Sequence, residues 1–438
     1  MAFIISADRA RVFLNRYRDR LWVKPLAVCL LSIAMVFAAK LADGTTLAQV
    51  VPVITADSIE TLLSIMAASM LVIATFSVAS MVSAYASASS TATPRSFTLV
   101  VADDASQNAL STFVGAFIFS IVALTAAKNS YFETAGLFIL FVLTLTVFGV
   151  VIITFVRWVD RIARLGRMGS TIGKVEAATV QALQRRRDMP TLCAAPARSQ
   201  VSGQAVFATS VGYVQHIDIA TLQTWAQTNQ VRVQVAALPG TFAAPGRALA
   251  YVISSPDDQP QADCKAVVAS FKIGGSRFFD DDPRFGLVVL SEIAGRALSP
   301  AVNDPGTAIY IIGTLVRLFA AWSGVGTTDT EQVPKYDRVE VPEVSVRDMF
   351  DDAFTAIARD GAGTVEVAVR LQKALHALAS LDDPAMREAA EYHGQLALKR
   401  AQAALAMPED LTAVRDAAKF AASSASSVTA RAKLLERS

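Results

Sequence analysis

The sequence of 438 residues predicts an α-helical membrane domain with four transmembrane helices, followed by a cytoplasmic α+β region. Three observations support this fold class. Hydrophobic residues make up 53% of the chain and charged residues only 18%, whereas soluble domains have about 45–50% and about 25%. Long apolar segments are concentrated before Arg157, and shorter patterns of strand and helix periodicity follow it. The composition argues against a wholly soluble, disordered or fibrous protein.

Four apolar segments are long enough to cross a bilayer, because a hydrocarbon core of about 30 Å requires roughly 20 helical residues. They cover approximately residues 21–41, 60–86, 110–127 and 131–156, and the third is the shortest. The central parts of the second, third and fourth segments contain no Asp, Glu, Lys or Arg. We therefore predict a four-helix transmembrane domain in residues 1–156. A cleaved signal peptide is the alternative for the first segment, but three further spans follow it.

Basic residues predict the orientation of these helices, because Lys and Arg are concentrated on the cytoplasmic side of membrane proteins. They precede the first segment and follow the fourth, at Arg9, Arg11, Arg16, Arg18, Arg20 and Lys24, and at Arg157, Arg161, Arg164, Arg167 and Lys174. The intervening loop at residues 43–59 contains neither Lys nor Arg. Both termini are therefore expected in the cytoplasm.

The remainder of the chain predicts three further regions. Residues 157–187 have a helical apolar period and predict a basic helical stalk. After a Pro-, Ala- and Ser-rich linker, residues 203–273 predict a β-rich module, with alternating valines in Val231–Val235 and two Pro-Gly turns. Residues 274–438 predict a helical subdomain. Three of its helices are expected to begin at an Asp-Pro pair, with Asp as the N-cap: Asp282-Pro283, Asp304-Pro305 and Asp383-Pro384.

The sequence contains no recognisable catalytic or metal-binding pattern. Its three histidines and three cysteines do not have the spacing of metal ligands or of a disulfide framework. We therefore expect no enzyme activity, no bound metal and no cofactor. The net charge of +2 gives no indication of nucleic-acid binding.

A small, hydroxylated face of the second segment is the strongest candidate site in the membrane. Its members follow steps of three and four residues and include Ser77, Ser80, Ser87 and Thr91. Such a face can pack closely against another helix, or it can line a hydrated path. Arg95 follows at the predicted cytoplasmic end, where an anchor at the membrane interface is the simpler interpretation.

The strongest cytoplasmic candidate is the corner between two helices in residues 282–308. Glu292 and Arg296 are four residues apart and can form an ion pair, while Asn303 and Asp304 occupy the turn. One interpretation is purely structural, with Asp304 as a cap. A second is a small anionic ligand held by Arg277 and Arg296 near a helix N-terminus. A subunit contact is the third.

The stretch DPRFGLVVLSEIAGRALSPAVNDPGTA (residues 282–308) resembles a family of bacterial predicted membrane proteins that is classified as a domain of unknown function. The shared pattern is IAxRALSPxxNDPxTA, preceded by four spans. TPRS (residues 93–96) and SVGYVQHID (residues 210–218) resemble two further family elements, each with a changed first residue. The resemblance covers nearly the whole chain and implies a protein of the bacterial plasma (inner) membrane. It implies no activity.

Two functions are consistent with these observations. The first is a homo-oligomeric channel or pore-like protein with a cytoplasmic regulatory domain, which the hydroxylated face favours. The second is a membrane-anchored ligand sensor or scaffold without a permeation path, which the absence of charge within the spans favours. The expected partners are the lipid bilayer, a second copy of the chain and a small anionic ligand.

Overall fold

The computed structural model describes residues 22–44, 51–91, 93–101, 104–164, 168–198, 203–254, 263–323 and 333–419. The chain divides into two compact units, with the boundary between Thr171 and Ile172. The basic residues Arg9 to Arg20, which were used to predict the orientation, lie outside the described residues, as does Arg167.

The first unit consists of long apolar helices at the positions of the four predicted segments. These are α1 (Val23–Lys40), α2 (Ala56–Thr91), α4 (Asp104–Lys128) and α5 (Thr134–Arg164). Between the second and the third lies a short helix, α3 (Pro94–Val101), which begins within the TPRS motif. The helices α2 and α4 extend beyond the predicted segments at both ends, and α5 extends beyond its segment at the C-terminal end, through polar residues that hydropathy does not reveal. The helix α1 is slightly shorter than predicted.

The helix α4 is the central helix of this unit and contacts α1, α2 and α5. Its small residues allow this, because Gly115 faces Val28 of α1 so closely that an added Cβ would overlap the valine side chain. The buried side chains of α4 alternate between small and aromatic residues: Ala109, Phe113, Ala116, Phe119 and Ala123. The large apolar side chains exposed on the other helices, among them Leu31, Ile65, Val72 and Ile153, form the surface available to lipid.

Asp43, which follows α1, is bonded to the beginning of α5. Its carboxylate accepts hydrogen bonds from the backbone N–H groups of Glu133 and Gly136, in the first turn of α5. Lys40 Nζ lies 3.1 Å from Asp43 Oδ2 and neutralises the charge. The side chain of Asp43 is 5% exposed, so the cap is shielded from water.

Five helices in the described part of the chain are long and apolar enough to cross a membrane. Four belong to the first unit, and their mean hydropathy is between 2.1 and 2.9. The fifth is α10 (Pro305–Ser323) in the second unit, with a mean hydropathy of 1.3.

The boundary between the units lies within α6 (Met168–Asp188), and the second unit contains two sheets. The first sheet has the strand order β1-β8-β4-β6-β2, from Ala194–Pro196, Tyr336–Val341, Arg232–Val235, Ala248–Ile253 and Gln204–Phe207. The second has the order β5-β3-β7, from Phe242–Ala243, Gly212–Ile217 and Phe271–Gly274. Short helices α7 (Ile219–Thr228) and α8 (Lys265–Ala269) accompany the sheets. The strands β1, β8 and β4 are parallel, and the other pairs are antiparallel.

Two strands of the first sheet come from outside residues 203–273, where the sequence predicted the β-rich module. β1 lies in the predicted linker, and β8 lies in the region predicted to be helical. Glu340 of β8 is buried and accepts a hydrogen bond from Arg232 of β4 at 3.1 Å, while Arg198 Nε lies 3.3 Å away. These cross-strand ion pairs hold β8 in the sheet, and a pattern search within one segment cannot detect them.

Six further helices of the second unit are described. They are α9 (Phe285–Ala297), α10, α11 (Val346–Asp360), α12 (Val365–Ala379), α13 (Pro384–Ala404) and α14 (Pro408–Ala417). α9 packs on α10 and α11, and α12 packs on α10, α13 and α14. The interior is aromatic where α10 meets α11, because the rings of Phe319, Phe350 and Phe354 lie within 6 Å of one another.

The Asp-Pro prediction is confirmed for two helices and is wrong for the third. α13 begins at Pro384 with Asp383 accepting from Met386 N, and α10 begins at Pro305 with Asp304 accepting from Thr307 N. α9 begins at Phe285, so Pro283 lies in the turn before it. The carboxylate of Asp282 does accept hydrogen bonds from the backbone N–H groups of Arg284 and Phe285 at the start of α9. It also binds Arg277, and Asp282 lies two residues before the N-cap residue, Arg284.

Replacement of Asp43 by Ala should destabilise the first unit, because two backbone N–H groups at the beginning of α5 and the Lys40 ammonium group lose their partner. We expect a loss of about 1–2 kcal/mol. Thermal unfolding of the full chain in mild detergent measures it. The matched control is Glu133→Ala, since that carboxylate is 77% exposed and should contribute less than about 1 kcal/mol. Equal effects of the two substitutions would contradict this role of Asp43.

Candidate functional site

The second unit contains a cleft of about 360 Å³, which we call the arginine cleft. Four segments form it: the end of α6, the connection between β4 and β6, the loop before α9 and the loop before α11. Its charged lining residues are Arg186, Arg247, Arg277, Arg284, Asp281, Asp282, Glu343 and Asp348.

A tight turn at Pro239-Gly240 forms one wall of the cleft. Gly240 has φ +92° and donates a hydrogen bond to Val214 O at 2.8 Å, which ties the turn to β3. A Cβ at this position would overlap the carboxylate of Asp282. Glycine is therefore required here both for its backbone conformation and for the close approach of the opposite wall.

Asp282 is the main structural link of the cleft. Arg277 donates to it twice, from Nε at 2.6 Å and from Nη2 at 3.0 Å. The same carboxylate accepts from the N–H groups of Arg284 and Phe285. The guanidinium of Arg277 also lies over the Phe285 ring, 5.2 Å from its centroid. One buried ion pair thus fixes both the loop and the first turn of α9.

Arg284 connects this loop to α11. Its Nε donates to Asp352 at 2.6 Å and its Nη1 donates to Asp348 at 2.7 Å. Both acceptors lie on α11, and Ser345 caps that helix by accepting from Asp348 N. The hydrogen bonds raise the pKa of Arg284, and burial opposes this effect. Arg284 is fully occupied in holding two helices together.

Arg186 differs from the other cleft arginines. Its side chain is 4% exposed, and its Nη2 donates to Pro342 O at 3.2 Å. Its Nε and Nη1 have no hydrogen-bond partner among the described residues. Burial lowers the pKa of Arg186 to about 10, although Asp281, Glu343 and Asp282 oppose the shift. The guanidinium therefore remains charged at neutral pH but is poorly solvated.

His216 lies beside the cleft, on β3. Its Nδ1 lies 2.6 Å from Asp281 Oδ2. This hydrogen bond raises the pKa of His216, with further contributions from the charges of Asp281 and Asp218, while burial and Lys272 lower it. The described residues contain no cluster of His, Cys, Asp or Glu that could hold a metal ion.

Of the predicted cytoplasmic site residues, only Arg277 lines this cleft. Glu292 and Arg296 lie on α9, half-buried and exposed respectively. Asn303 and Asp304 are exposed in the turn between α9 and α10, where Asn303 has φ +49°. Backbone hydrogen bonds close this turn, since Asp304 N donates to Ala297 O at 2.8 Å. The structure therefore does not bring Arg277 and Arg296 into one site.

The predicted membrane face lies along α2. Ser77 is fully buried within the first unit, Ser80 is half-buried and Ser87 is exposed. The side chain of Thr91 lies outside the described residues. Arg95, on α3, is exposed. Burial along the face thus decreases from Ser77 to Ser87.

Sequence reasoning missed Arg186 and the Pro239-Gly240 wall. The available signals were the run Arg185-Arg186-Arg187 at the end of a helix and the three consecutive aspartates at residues 280–282. Neither signal by itself indicates a shared site. Arg186, the Pro239-Gly240 turn and the loop before α9 line one cleft because of the tertiary fold, which no local sequence pattern encodes.

Replacement of Gly240 by Ala should disrupt the cleft wall, and Gly246→Ala is the matched control. Both glycines have positive φ, but nothing lies within 4 Å of a Cβ at Gly246. Gly246→Ala should therefore show only the backbone strain, about 1–2 kcal/mol. Gly240→Ala should destabilise the protein clearly more, because Asp282 must also move. Equal unfolding temperatures for the two variants would contradict the close approach.

The pKa of His216 should lie above its ordinary value of about 6.5. Its contribution to stability is then fully present below about pH 6.5 and is lost as the pH rises through the higher, folded-state pKa. Asp281→Asn should lower this pKa in an NMR titration of the ring signals. Asp280→Asn, which changes an exposed neighbour, should leave the pKa unchanged. A pKa at or below 6.5 in the unmodified protein would contradict the pairing.

Comparison with known proteins identifies the relatives of this chain. A family profile described as predicted membrane protein (DUF2254) matches residues 18–377. Uncharacterized protein MT1328 of Mycobacterium tuberculosis (strain CDC 1551 / Oshkosh) is 27% identical over 217 residues, which cover 47% of this chain and 41% of that protein. Uncharacterized protein Mb1321c of Mycobacterium bovis (strain ATCC BAA-935 / AF2122/97) has the same identity and coverage.

The match thus spans about two-fifths of the length of these mycobacterial relatives. No solved structure shows a significant match to this chain. The family profile covers most of the sequence, including the four apolar helices of the first unit and the loop that lines the arginine cleft. The chain therefore belongs to the DUF2254 family of predicted membrane proteins.

Proposed function

We propose that this protein is a membrane-anchored ligand sensor whose second unit binds a small molecule in the arginine cleft. The observation that carries the proposal is the buried guanidinium of Arg186, which lines the cleft with two nitrogen atoms unpartnered among the described residues. Buried polar groups normally have hydrogen-bond partners, and exceptions mark strain or a binding site. The cleft volume lies near the lower end of the range for ligand sites, about 300–1,000 Å³.

The arginines at the end of α6 attach this helix to the rest of the second unit. Arg185 Nη2 donates to Asp280 O at 2.6 Å, and Arg187 Nη1 donates to Ala321 O at 2.7 Å. Together with Arg186 they attach α6 to three separate segments of the second unit. In the sequence, α6 follows the last helix of the first unit after three residues. A ligand that moves the loop of residues 277–284 would change the contacts that hold α6.

The proposal includes four transmembrane spans, a location in the bacterial inner membrane and both termini in the cytoplasm. The basic residues around the first and fourth spans support this orientation. We assign α10 to the second unit rather than to the bilayer because it packs against α9 and α12. Arg317 of α10 also forms a bidentate ion pair with Glu176 of α6, at 2.7 and 2.9 Å. We propose no enzyme activity, bound cofactor or nucleic-acid partner.

A homo-oligomeric channel is the second candidate function. Ser77 Oγ and Trp158 Nε1 are buried within the first unit without a hydrogen-bond partner among the described residues. Such groups are compatible with a hydrated path between helices. Because Ser77 packs inside a single chain, only the lower part of the α2 face, at Ser80 and Ser87, is available to a shared axis. The sensor requires no second copy, and we therefore prefer it.

A thermal-shift screen of the full chain in detergent, against a panel of neutral, cationic and anionic metabolites, tests the sensor function. A ligand at one hundred times its dissociation constant stabilises by about 2.7 kcal/mol, or roughly 5–10 °C for a protein of this size. Two Val→Trp variants act as mutual controls. Val344 lines the cleft, and Val302 is exposed at the corner between α9 and α10.

Stabilisation of the wild type that Val344→Trp abolishes and Val302→Trp retains supports a sensor with its site in the cleft. The reverse result would place the site at the corner around Asn303. If no compound of any charge stabilises the wild type, the sensor proposal is wrong.

A further inference from the structure

The charges that line the arginine cleft are mostly paired with one another. Arg277 is paired with Asp282, Arg284 with Asp348, and Asp281 with His216. Three lining charges remain for which no ion pair is found among the described residues: Arg186, Arg247 and Glu343. The lining contains four arginines and four carboxylates and is formally neutral, since His216 neutralises Asp281 only when its imidazole is protonated. The cations of the cleft therefore differ in their partners and not through a net charge.

The two remaining cations differ in how strongly they need a partner. Arg247 is exposed, so water solvates its charge. Arg186 is almost completely buried, and water does not reach its Nε and Nη1 atoms within the described structure. The only acceptor found for Arg186 is a neutral carbonyl oxygen, that of Pro342. A buried cation gains most from a negatively charged acceptor, because the surrounding medium screens the attraction weakly.

The geometry of a guanidinium restricts the kind of acceptor that suits it. Its N–H groups form a planar fork that matches the paired oxygen atoms of a carboxylate or a phosphate. The volume of the cleft, about 360 Å³, accommodates a small molecule. Glu343 is exposed beside the cleft, and its carboxylate competes for the same positive charge.

We infer that the arginine cleft binds the oxyanion group, a carboxylate or a phosphate, of a small molecule, with the Arg186 guanidinium as its ion-pair partner. This assignment rests on the sensor function proposed above and specifies the chemistry of its ligand. Arg247 adds a second, solvent-exposed positive charge at the same site. Arg277 and Arg284 shape the cleft but are occupied by their own aspartates.

The test is a titration of the full chain in detergent with inorganic phosphate and, separately, with acetate. The unfolding temperature is measured at each anion concentration. Either anion should stabilise the wild type. Arg186→Gln should weaken that binding at least about tenfold. The matched control is Arg187→Gln, because Arg187 is the neighbouring arginine, is exposed and does not line the cleft. Its anion binding should equal that of the wild type.

Two further variants keep the inference testable if Arg186→Gln does not fold. Arg247→Gln removes an exposed charge and should weaken anion binding by about threefold. Glu343→Gln removes the competing carboxylate and should strengthen anion binding by a similar factor. If neither substitution changes anion binding, the anion does not bind in the cleft and the inference is wrong.

The outcomes separate this inference from the sensor function. If neutral or cationic compounds bind in the cleft and both anions fail, the oxyanion assignment is wrong while the sensor stands. If anions stabilise the wild type, Arg186→Gln and Arg247→Gln equally, the inferred ion pair between Arg186 and the oxyanion does not form, and the inference is wrong. Nanodiscs with and without phosphatidylglycerol distinguish a lipid headgroup from a soluble anion, since a headgroup stabilises the protein only in the former.

Discussion

The Arg186 guanidinium lies at the end of the helix that follows the membrane spans, bonded to one backbone carbonyl oxygen and otherwise enclosed by protein. Much of the second unit is arranged around this charge. Three acidic side chains, Asp281, Glu343 and Asp282, come close enough to stabilise it electrostatically. Two of the other arginines that line the cleft, Arg277 and Arg284, are each paired with aspartate. These pairs fix the loop before α9 and the contact with α11, so that the cleft stays open beside Arg186.

The membrane unit obeys a different constraint, because apolar side chains gain nothing by leaving lipid for the interior of a helix bundle. Small residues on α4 permit close packing, and large apolar residues remain outside. Hydroxyl groups within the helices donate to backbone carbonyl oxygens of their own helix, as at Ser120 and Thr144, while the carboxylate of Asp43 lies at a helix end. The second unit carries most of the charged chemistry. This division suits a protein that is anchored by one unit and binds its ligand with the other.

The sequence revealed those parts of the fold that depend on local periodicity. Long apolar runs predicted the membrane helices, and Asp before Pro predicted the starts of α10 and α13. The same signal misplaced the start of α9, because Asp282 also binds Arg277 and the chain needs two more residues before the helix begins. β8 was missed because its place in the sheet depends on Glu340 pairing with arginines more than one hundred residues away.

The candidate site was less predictable for the same reason. Arg277 was identified from its position before α9, but its expected partner, Arg296, lies on the exposed side of that helix. Arg186 gave no periodic signal of interest, since a basic residue at a helix end is usually solvated. Arg186 donates to Pro342 O and lines the same cleft as the Pro239-Gly240 turn, and both of these segments come from distant parts of the chain.

The most direct test of this account is a high-resolution cryo-EM structure of the full chain, purified under conditions that retain bound small molecules. Density for an oxyanion group is expected in the cleft, against the Arg186 guanidinium. Arg277 and Arg284 should keep their aspartate partners. A structure in which Glu343 or Asp281 turns inward to bind Arg186, and in which the cleft is closed, would contradict the central claim.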